Sequence, residues 1–418
     1  MRPRHPALAQ AAMWLTFGSA AAILLSIAAS QVLLGAAFLA LLLSGEPLRL
    51  PRIKLPLAIF LAGTIVAWLA AGDLKTGLPQ IKKMIVFAEL LIVYSCLRSV
   101  VLVRWLMLTW AGLGTFTACC GFVQFGEKIS QAHKLGRDVY MYYVGSRITG
   151  FTSHWNTFSA EEMFSGLMLV AFLFFAIRAR RQWMWIVCAA LLSVSIVIIE
   201  TRGVWIAFAV AVIYLIWRWR RWVVLLVPVA AAIGFFAAPA SIRERLESIT
   251  KPKEVDSNDF RVVVWRTGLH MIEAHPLLGV GPEEQRVHFD QYMPADITHK
   301  PIGFYGHLHN LYIEYAAERG IPVLLVFLWM IAWILLDFAR GLRDLPPGPS
   351  DRRFILEGAI AVVIGALVEG FVEVNLGDSE PLTMFLVAVA CGYLALDRRV
   401  PDAEPSAAAP LIPAAPAA

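Results

Sequence analysis

A polar run bearing two histidines, His307-Leu-His309-Asn310-Leu-Tyr312-Ile-Glu314-Tyr-Ala-Ala-Glu318-Arg-Gly320-Ile-Pro322, leads straight into a long apolar stretch. Imidazole exchanges protons near neutral pH, so His309 at the rim of an apolar helix suits general-base work. At helical spacing His309, Tyr312 or Ile313, and Tyr315 or Ala316 would share one face. A plainer role, capping the helix at a water boundary, fits the same histidine. Four arginines, Arg147, Arg202, Arg261 and Arg266, stand beside turns or helix starts. A guanidinium is permanently charged and matches phosphate oxygens with two prongs, and near an apolar medium it is costly unless paired. Together they ask for an anion. The competing structural roles are a bridge from Arg202 to Glu200 and a reach from Arg147 to lipid headgroups.

Spacing narrows the set. Ser257, Asn258 and Asp259 read as the cap of a helix running to about Ala274. Arg261 and Trp265 then share a face, whereas Arg266 lies five positions on, roughly 140° around. One phosphate is not gripped by both, and Arg261 is the preferred contact. Asp256-Ser-Asn258-Asp259 offers oxygen ligands but lacks the glycine and distal glutamate of a calcium loop, so no metal is expected there. Cys96, Cys119, Cys120, Cys188 and Cys391 sit in apolar runs without the spacing of a zinc or redox site. Glu161, Glu162, Glu369 and Glu373, in or near apolar helices, should face partners or a cavity: they would offset the arginines or line a lipid access path.

The elements that must position these groups are membrane helices. The 418 residues are 59% hydrophobic and 16% charged, with a mean hydropathy of +0.66, more apolar surface than one soluble core can hide. An all-α polytopic bundle of about twelve spans is expected, near 8–29, 31–44, 56–72, 84–97, 100–125, 155–177, 183–199, 204–217, 222–238, 311–338, 354–374 and 380–397. Arg2, Arg4 and His5 before the first run resemble a signal peptide, but the run continues and reads as an uncleaved helix. Tryptophans beside arginines, as in Trp217-Arg218-Trp219-Arg220-Arg221-Trp222, mark headgroup levels.

Alternate connections carry Arg49, Arg52 and Lys54; Arg98 and Arg104; Arg178, Arg180 and Arg181; Arg218, Arg220 and Arg221; Arg340, Arg343, Arg352 and Arg353; and Arg398 and Arg399. The positive-inside rule makes that side, with both termini, cytoplasmic. The outer side receives 126–154, the turn Glu200-Thr201-Arg202-Gly203, the long segment 239–310, between the ninth and tenth spans, and Asn375-Leu-Gly-Asp-Ser-Glu380. Lys75, Lys82 and Lys83 fall outside against the trend, which either weakens that hairpin's assignment or marks lysines kept for a purpose. Residues 1–400 form one integral membrane domain, and the Ala- and Pro-rich 401–418 reads as a disordered cytoplasmic tail. Basic residues lie in short clusters between apolar runs, so no nucleic-acid partner is expected, while membrane lipids are.

Four pieces in order resemble the O-antigen ligase family: Arg147-Ile-Thr-Gly150-Phe-Thr-Ser-His154-Trp-Asn156; Thr201-Arg202-Gly203; Arg261-Val-Val-Val-Trp265 with His275-Pro276-Leu-Leu-Gly279-Val-Gly281; and His309-Asn310-Leu-Tyr312 with Glu318 and Gly320. The resemblance implies a membrane glycosyltransferase of lipopolysaccharide biosynthesis in the bacterial inner membrane, with a periplasmic active site and no cofactor. Its donor would be an undecaprenyl pyrophosphate-linked glycan and its acceptor lipid A-core. By the same implication His309 is the essential histidine and Arg202 and Arg261 meet the pyrophosphate. Arg147 joins them by its motif, Arg266 is a further candidate, and Asn310, Tyr312, Glu318, His154 and Asn156 support the site. An O-antigen polymerase and a protein O-oligosaccharyltransferase share the pattern. A secondary transporter is the alternative of another class, opposed by the lack of internal repeats and by charge crowded on one face.

Overall fold

The computed structural model describes residues 5–177, 181–238, 240–247, 258–297, 300–301 and 303–402. Within these, helix is the only regular secondary structure and there is no strand. The α-helices are α1 (Pro6–Ala22), α2 (Ile27–Ser44), α3 (Lys54–Ala70), α4 (Leu74–Lys83), α5 (Ala88–Cys96), α6 (Val100–Lys134), α7 (Val139–Gly145), α8 (Trp155–Phe175) and α9 (Gln182–Ile198). They continue as α10 (Arg202–Trp219), α11 (Val227–Ala237), α12 (Ala240–Glu247), α13 (Asn258–Ala274), α14 (Phe289–Tyr292), α15 (Leu311–Asp344), α16 (Asp351–Glu369) and α17 (Ser379–Leu396).

Among the described residues, six helices are long and apolar enough to cross a membrane: α2, α6, α8, α10, α15 and α17. The apolar runs read from the sequence fall mostly on helix, but the first break lies at 23–26, inside the run read as 8–29, and the helix of the run read as 354–374 ends at Glu369; the runs at 84–97 and 222–238 open with a 3-10 turn. α8, α16 and α17 are buried along most of their length and form the centre of the bundle, whereas α11 has no buried residue. The five cysteines are free thiols. Arg2, Arg4, Arg178, Arg180, Asp256, Ser257 and the tail from 403 lie outside the described residues.

Charged groups among the described residues gather in two places. In one, Arg49 pairs with Asp397, Arg98 with Glu46, Arg104 with Asp351 and Arg218 with Glu357. In the other, the connections 126–154, 200–203 and 370–378, parts of 239–310, and Lys83 converge on one cavity. Of the buried carboxylates, Glu369 and Glu373 line that cavity; Glu161 and Glu162 lie inside the bundle, where Thr117 of α6 donates to Glu162 across 2.8 Å.

Two details of α15 set the site. Asn310 caps the helix, its Oδ1 accepting from Tyr312 N and Ile313 N, so neither the face shared with Tyr312 nor a cap formed by His309 is realised. His309 stands before the helix with φ +48°, a left-handed conformation that costs a side-chain-bearing residue energy. Eleven residues on, Gly320 breaks the helix with φ +82° and ψ 161°. The break releases the carbonyls of Ala317 and Glu318, and these accept from Val280 N (2.8 Å) and Gly281 N (3.0 Å). A Cβ on Gly320 would sit 2.1 Å from the carbonyl oxygen of Leu277, and one on Gly279 2.3 Å from Glu318 C. The paired glycines of the two motifs are thus one backbone-to-backbone contact.

Candidate active site

The cavity has a volume of about 720 Å3 and is lined by α8, α10, α12, α13, α15 and the turns between them. Among its lining residues is Glu373, buried just beyond α16. His309 Nδ1 lies 3.2 Å from both of its carboxylate oxygens, Asn156 Nδ2 donates to it across 2.6 Å, and Val374 N donates across 3.1 Å. His307 Nε2 stands at 3.6 Å and Arg261 at 3.9 Å. Burial would raise this carboxyl, but the His309 hydrogen bond and the charges of His309, His307 and Arg261 outweigh it and hold the group at about 2. Glu373 is therefore an anion at any physiological pH.

The two imidazoles, with ring centres 3.9 Å apart, have different duties. His307 Nδ1 accepts from His309 N, so that nitrogen is bare; burial, eased in part by Glu373, presses its pKa down to about 4. His309 Nε2 is 3.2 Å from the carbonyl of Phe304. With acceptors at both nitrogens, a singly protonated ring keeps only one of the two contacts. Held through Nδ1 by Glu373, the ring can offer Nε2 to a hydroxyl that displaces Phe304. Phe260 meets His309 edge-on at 5.0 Å and Trp265 Nε1 donates to its carbonyl, so α13 fixes the ring's position.

The arginines form one wall. Arg147 donates to the carbonyls of Val144 and Glu200 and lies 4.6 Å over the ring of Trp155. Arg202 occupies the first turn of α10, and Arg261 reaches in from α13 with its Nε buried and without a hydrogen-bond partner among the described residues. Arg245 of α12 joins them, donating to the same Glu200 carbonyl as Arg147. Glu200 holds the left-handed φ of +56° that turns this carbonyl toward both forks. Burial, then the charge of Arg245, pushes the Arg147 guanidinium down, and burial does the same to Arg261. An arginine so placed keeps its proton, and an added anion relieves the repulsion.

The motifs position this wall. Gly203 lets the start of α10 approach the 370–374 turn; a Cβ there would sit 2.5 Å from Val372. Gly268 does the same for α13 against Ile313 and Leu308. His154 caps α8 through Nδ1 and turns Asn156 toward Glu373. Arg147, Arg202, Arg261, His154, Asn156, His309 and Glu318 all line the cavity.

Arg266 does not. It is exposed and bound with both prongs to Asp296 at 2.8 Å, where its angular offset from Arg261 puts it. Asn310 ties its amide to the Phe371 carbonyl, and Tyr312 donates to Leu367 O and packs on Phe371, so both brace the turn that carries Glu373. His307 and Arg245 complete the site without having been assigned a role in it from the sequence, whereas Glu373, expected to face a cavity or offset the arginines, does both beside Arg261. Glu373 had left a signal as a carboxylate ending an apolar run; Arg245 left none.

His307, His309 and Glu373 present ligand atoms within 4.8 Å of one another, a spacing that suits a metal ion. The charge does not suit it: Arg261 stands beside the same carboxylate and Asn156 donates to it, so a divalent ion would face a fixed cation. Lys75, Lys82 and Lys83 divide: Lys83 turns into the cavity, donating to Gly377 O and facing Glu283 at 4.0 Å.

Residues 187–328 match a family model described as O-Antigen ligase. The matched stretch carries Arg202, Arg245, Arg261, His309 and Glu318, while Arg147, Asn156 and Glu373 lie outside it. No curated protein matches the chain.

Proposed function

We propose, on the premise that the chain belongs to the O-antigen ligase family, that it moves a glycan from undecaprenyl pyrophosphate to lipid A-core. In this reading about twelve spans hold the cavity at the periplasmic face of the bacterial inner membrane. The observation that carries it is one cavity joining a clustered arginine wall to an imidazole anchored on a buried carboxylate. That is the equipment for departure of a diphosphate and deprotonation of a hydroxyl.

Arg147, Arg202, Arg245 and Arg261 bind the donor's pyrophosphate. As the bond between the anomeric carbon and the phosphate oxygen breaks, negative charge grows on that oxygen, and prealigned guanidinium groups stabilise it without reorganising. An acceptor sugar hydroxyl takes the place of the Phe304 carbonyl at His309 Nε2 and gives up its proton there as its oxygen attacks. Glu373 stabilises the imidazolium so formed. Attack opposite the departing pyrophosphate inverts the anomeric centre.

Transfer by purified protein from carrier-linked glycan to lipid A-core is expected to vanish in His309→Ala and to fall steeply in Arg202→Ala and Arg261→Ala. Full activity in all three would refute the site. Lipopolysaccharide gels of a deletion strain separate the nearest relatives: unmodified core with accumulated carrier-linked polymer means ligase, and core bearing a single repeat means polymerase.

A further inference from the structure

The arginines occupy only part of the cavity; another part of its lining comes from α15 and the loop before α14, with Gln285, Glu314, Tyr315, Glu318 and Arg319. Contacts order the two regions about the base. Arg261 adjoins Glu373, the partner of His309, and Arg245 neighbours Arg261; Lys83, bonded to Gly377 O, faces Glu283, whose backbone N donates to Glu318 beside Arg319. In this second region buried polar atoms are left over. Arg319 is 2% exposed, lies 4.3 Å over the Tyr315 ring, and has no hydrogen-bond partner for Nε among the described residues. Its Nη1 is 3.1 Å from Glu318 Oε2 but out of line for a hydrogen bond. Gln285 is 1% exposed; its Nε2 donates to Glu314 and to the Gly306 carbonyl, which fixes the amide's orientation and leaves Oε1 unpaired.

A buried donor and a buried acceptor left open cost stability unless a ligand takes them up. The kind of ligand follows from charge. By formal charge the cations Arg319, Arg286 and Lys83 are matched by the carboxyl groups of Glu283, Glu314 and Glu318, whereas the four arginines of the wall outnumber Glu200 and Glu373 beside them. A group that both donates and accepts satisfies both open valences, and a sugar hydroxyl does this where a phosphate cannot.

We infer that Gln285, Arg319 and the Tyr315 ring form an acceptor-sugar subsite, binding the hydroxyls of a neutral pyranose and presenting a neighbouring hydroxyl to His309. This rests on the glycan-transfer reading above and adds to it where the acceptor lies and what chemistry selects it. Selection of this kind is strong, because an acceptor lacking the matching hydroxyl leaves the buried guanidinium and amide unpaired.

The test is separate binding of fluorescent lipid A-core and of undecaprenyl pyrophosphate to the full chain in detergent. Arg319→Gln is expected to weaken lipid A-core binding by at least about tenfold, the loss of a hydrogen bond to a charged donor, with pyrophosphate binding nearly unchanged and reporting an intact fold. Arg202→Ala is expected to do the reverse. Arg319→Lys, which keeps the charge beside Glu318 but not the fork, should also lose lipid A-core affinity. Unchanged lipid A-core binding in both Arg319 variants, or equal loss of both ligands in each, overturns the subsite. If the binding split holds while wild type makes no product, the subsite stands and the transfer reaction falls; transfer without the split sinks the subsite alone.

Discussion

Glu373→Gln isolates the residue on which the site converges. The substitution keeps size and most hydrogen bonding while removing the charge 3.2 Å from His309 Nδ1. At an effective dielectric near 20, two unit charges at that distance attract by about 5 kcal/mol, and breaking a buried pair costs about 3–5 kcal/mol. The pair becomes a full ion pair when the imidazole takes the hydroxyl's proton, so the loss falls on the transition state and lowers kcat rather than raising KM. At roughly 1.4 kcal/mol per tenfold, kcat should drop by about 10²–10⁴, which is the span of a general base's whole contribution. The assay is single-turnover transfer from carrier-linked glycan to lipid A-core. A folded variant whose kcat stays within about threefold of wild type, or whose defect lies only in KM, refutes the role. Stability gives an independent check. The carboxyl is held at about 2 when folded against about 4.3 unfolded, so its contribution is complete above the unfolded value and is lost as pH falls toward the folded one. The part of the Tm gap between wild type and Glu373→Gln that comes from this carboxyl should shrink as pH falls from about 4.3 toward about 2.

Arg245→Ala should weaken undecaprenyl pyrophosphate binding by about tenfold or more, as removal of a charge-assisted contact does, whereas Arg266→Ala, which only frees Asp296 at the surface, should bind as wild type in the same titration. Gly320→Ala places a methyl against the Leu277 carbonyl at a φ that side chains avoid; a loss above about 1 kcal/mol is expected and is read as a lowered Tm in detergent. Chelation is expected to leave transfer unaffected, because Arg261 occupies the electrostatic position beside Glu373 that a divalent ion would need; activity lost to a chelator and restored by zinc or manganese would overturn that argument.

Several features of the site are local and could be read from residue order. The helix over 258–274, the different directions of Arg261 and Arg266, and the glycines at 279, 281 and 320 all follow from periodicity and backbone preference. His309 was readable as chemistry but not as geometry: a helical face was the natural expectation, and the left-handed turn before the Asn310 cap replaced it.

By itself the sequence determined the helical class with several membrane-length apolar helices, and the residue types able to hold a diphosphate and move a proton. Apolar runs are properties of short stretches, and a bilayer leaves few other ways to satisfy the backbone. Only the tertiary structure decided that Asn156, Arg261, His307 and His309 meet at Glu373, with up to 217 positions separating partners in one hydrogen bond. It likewise brought Arg245 to the carbonyl that Arg147 uses. Which apolar helices become neighbours depends on the fit of their surfaces, and here on glycines such as Gly203 and Gly268 that allow close approach; hydropathy carries no record of that choice.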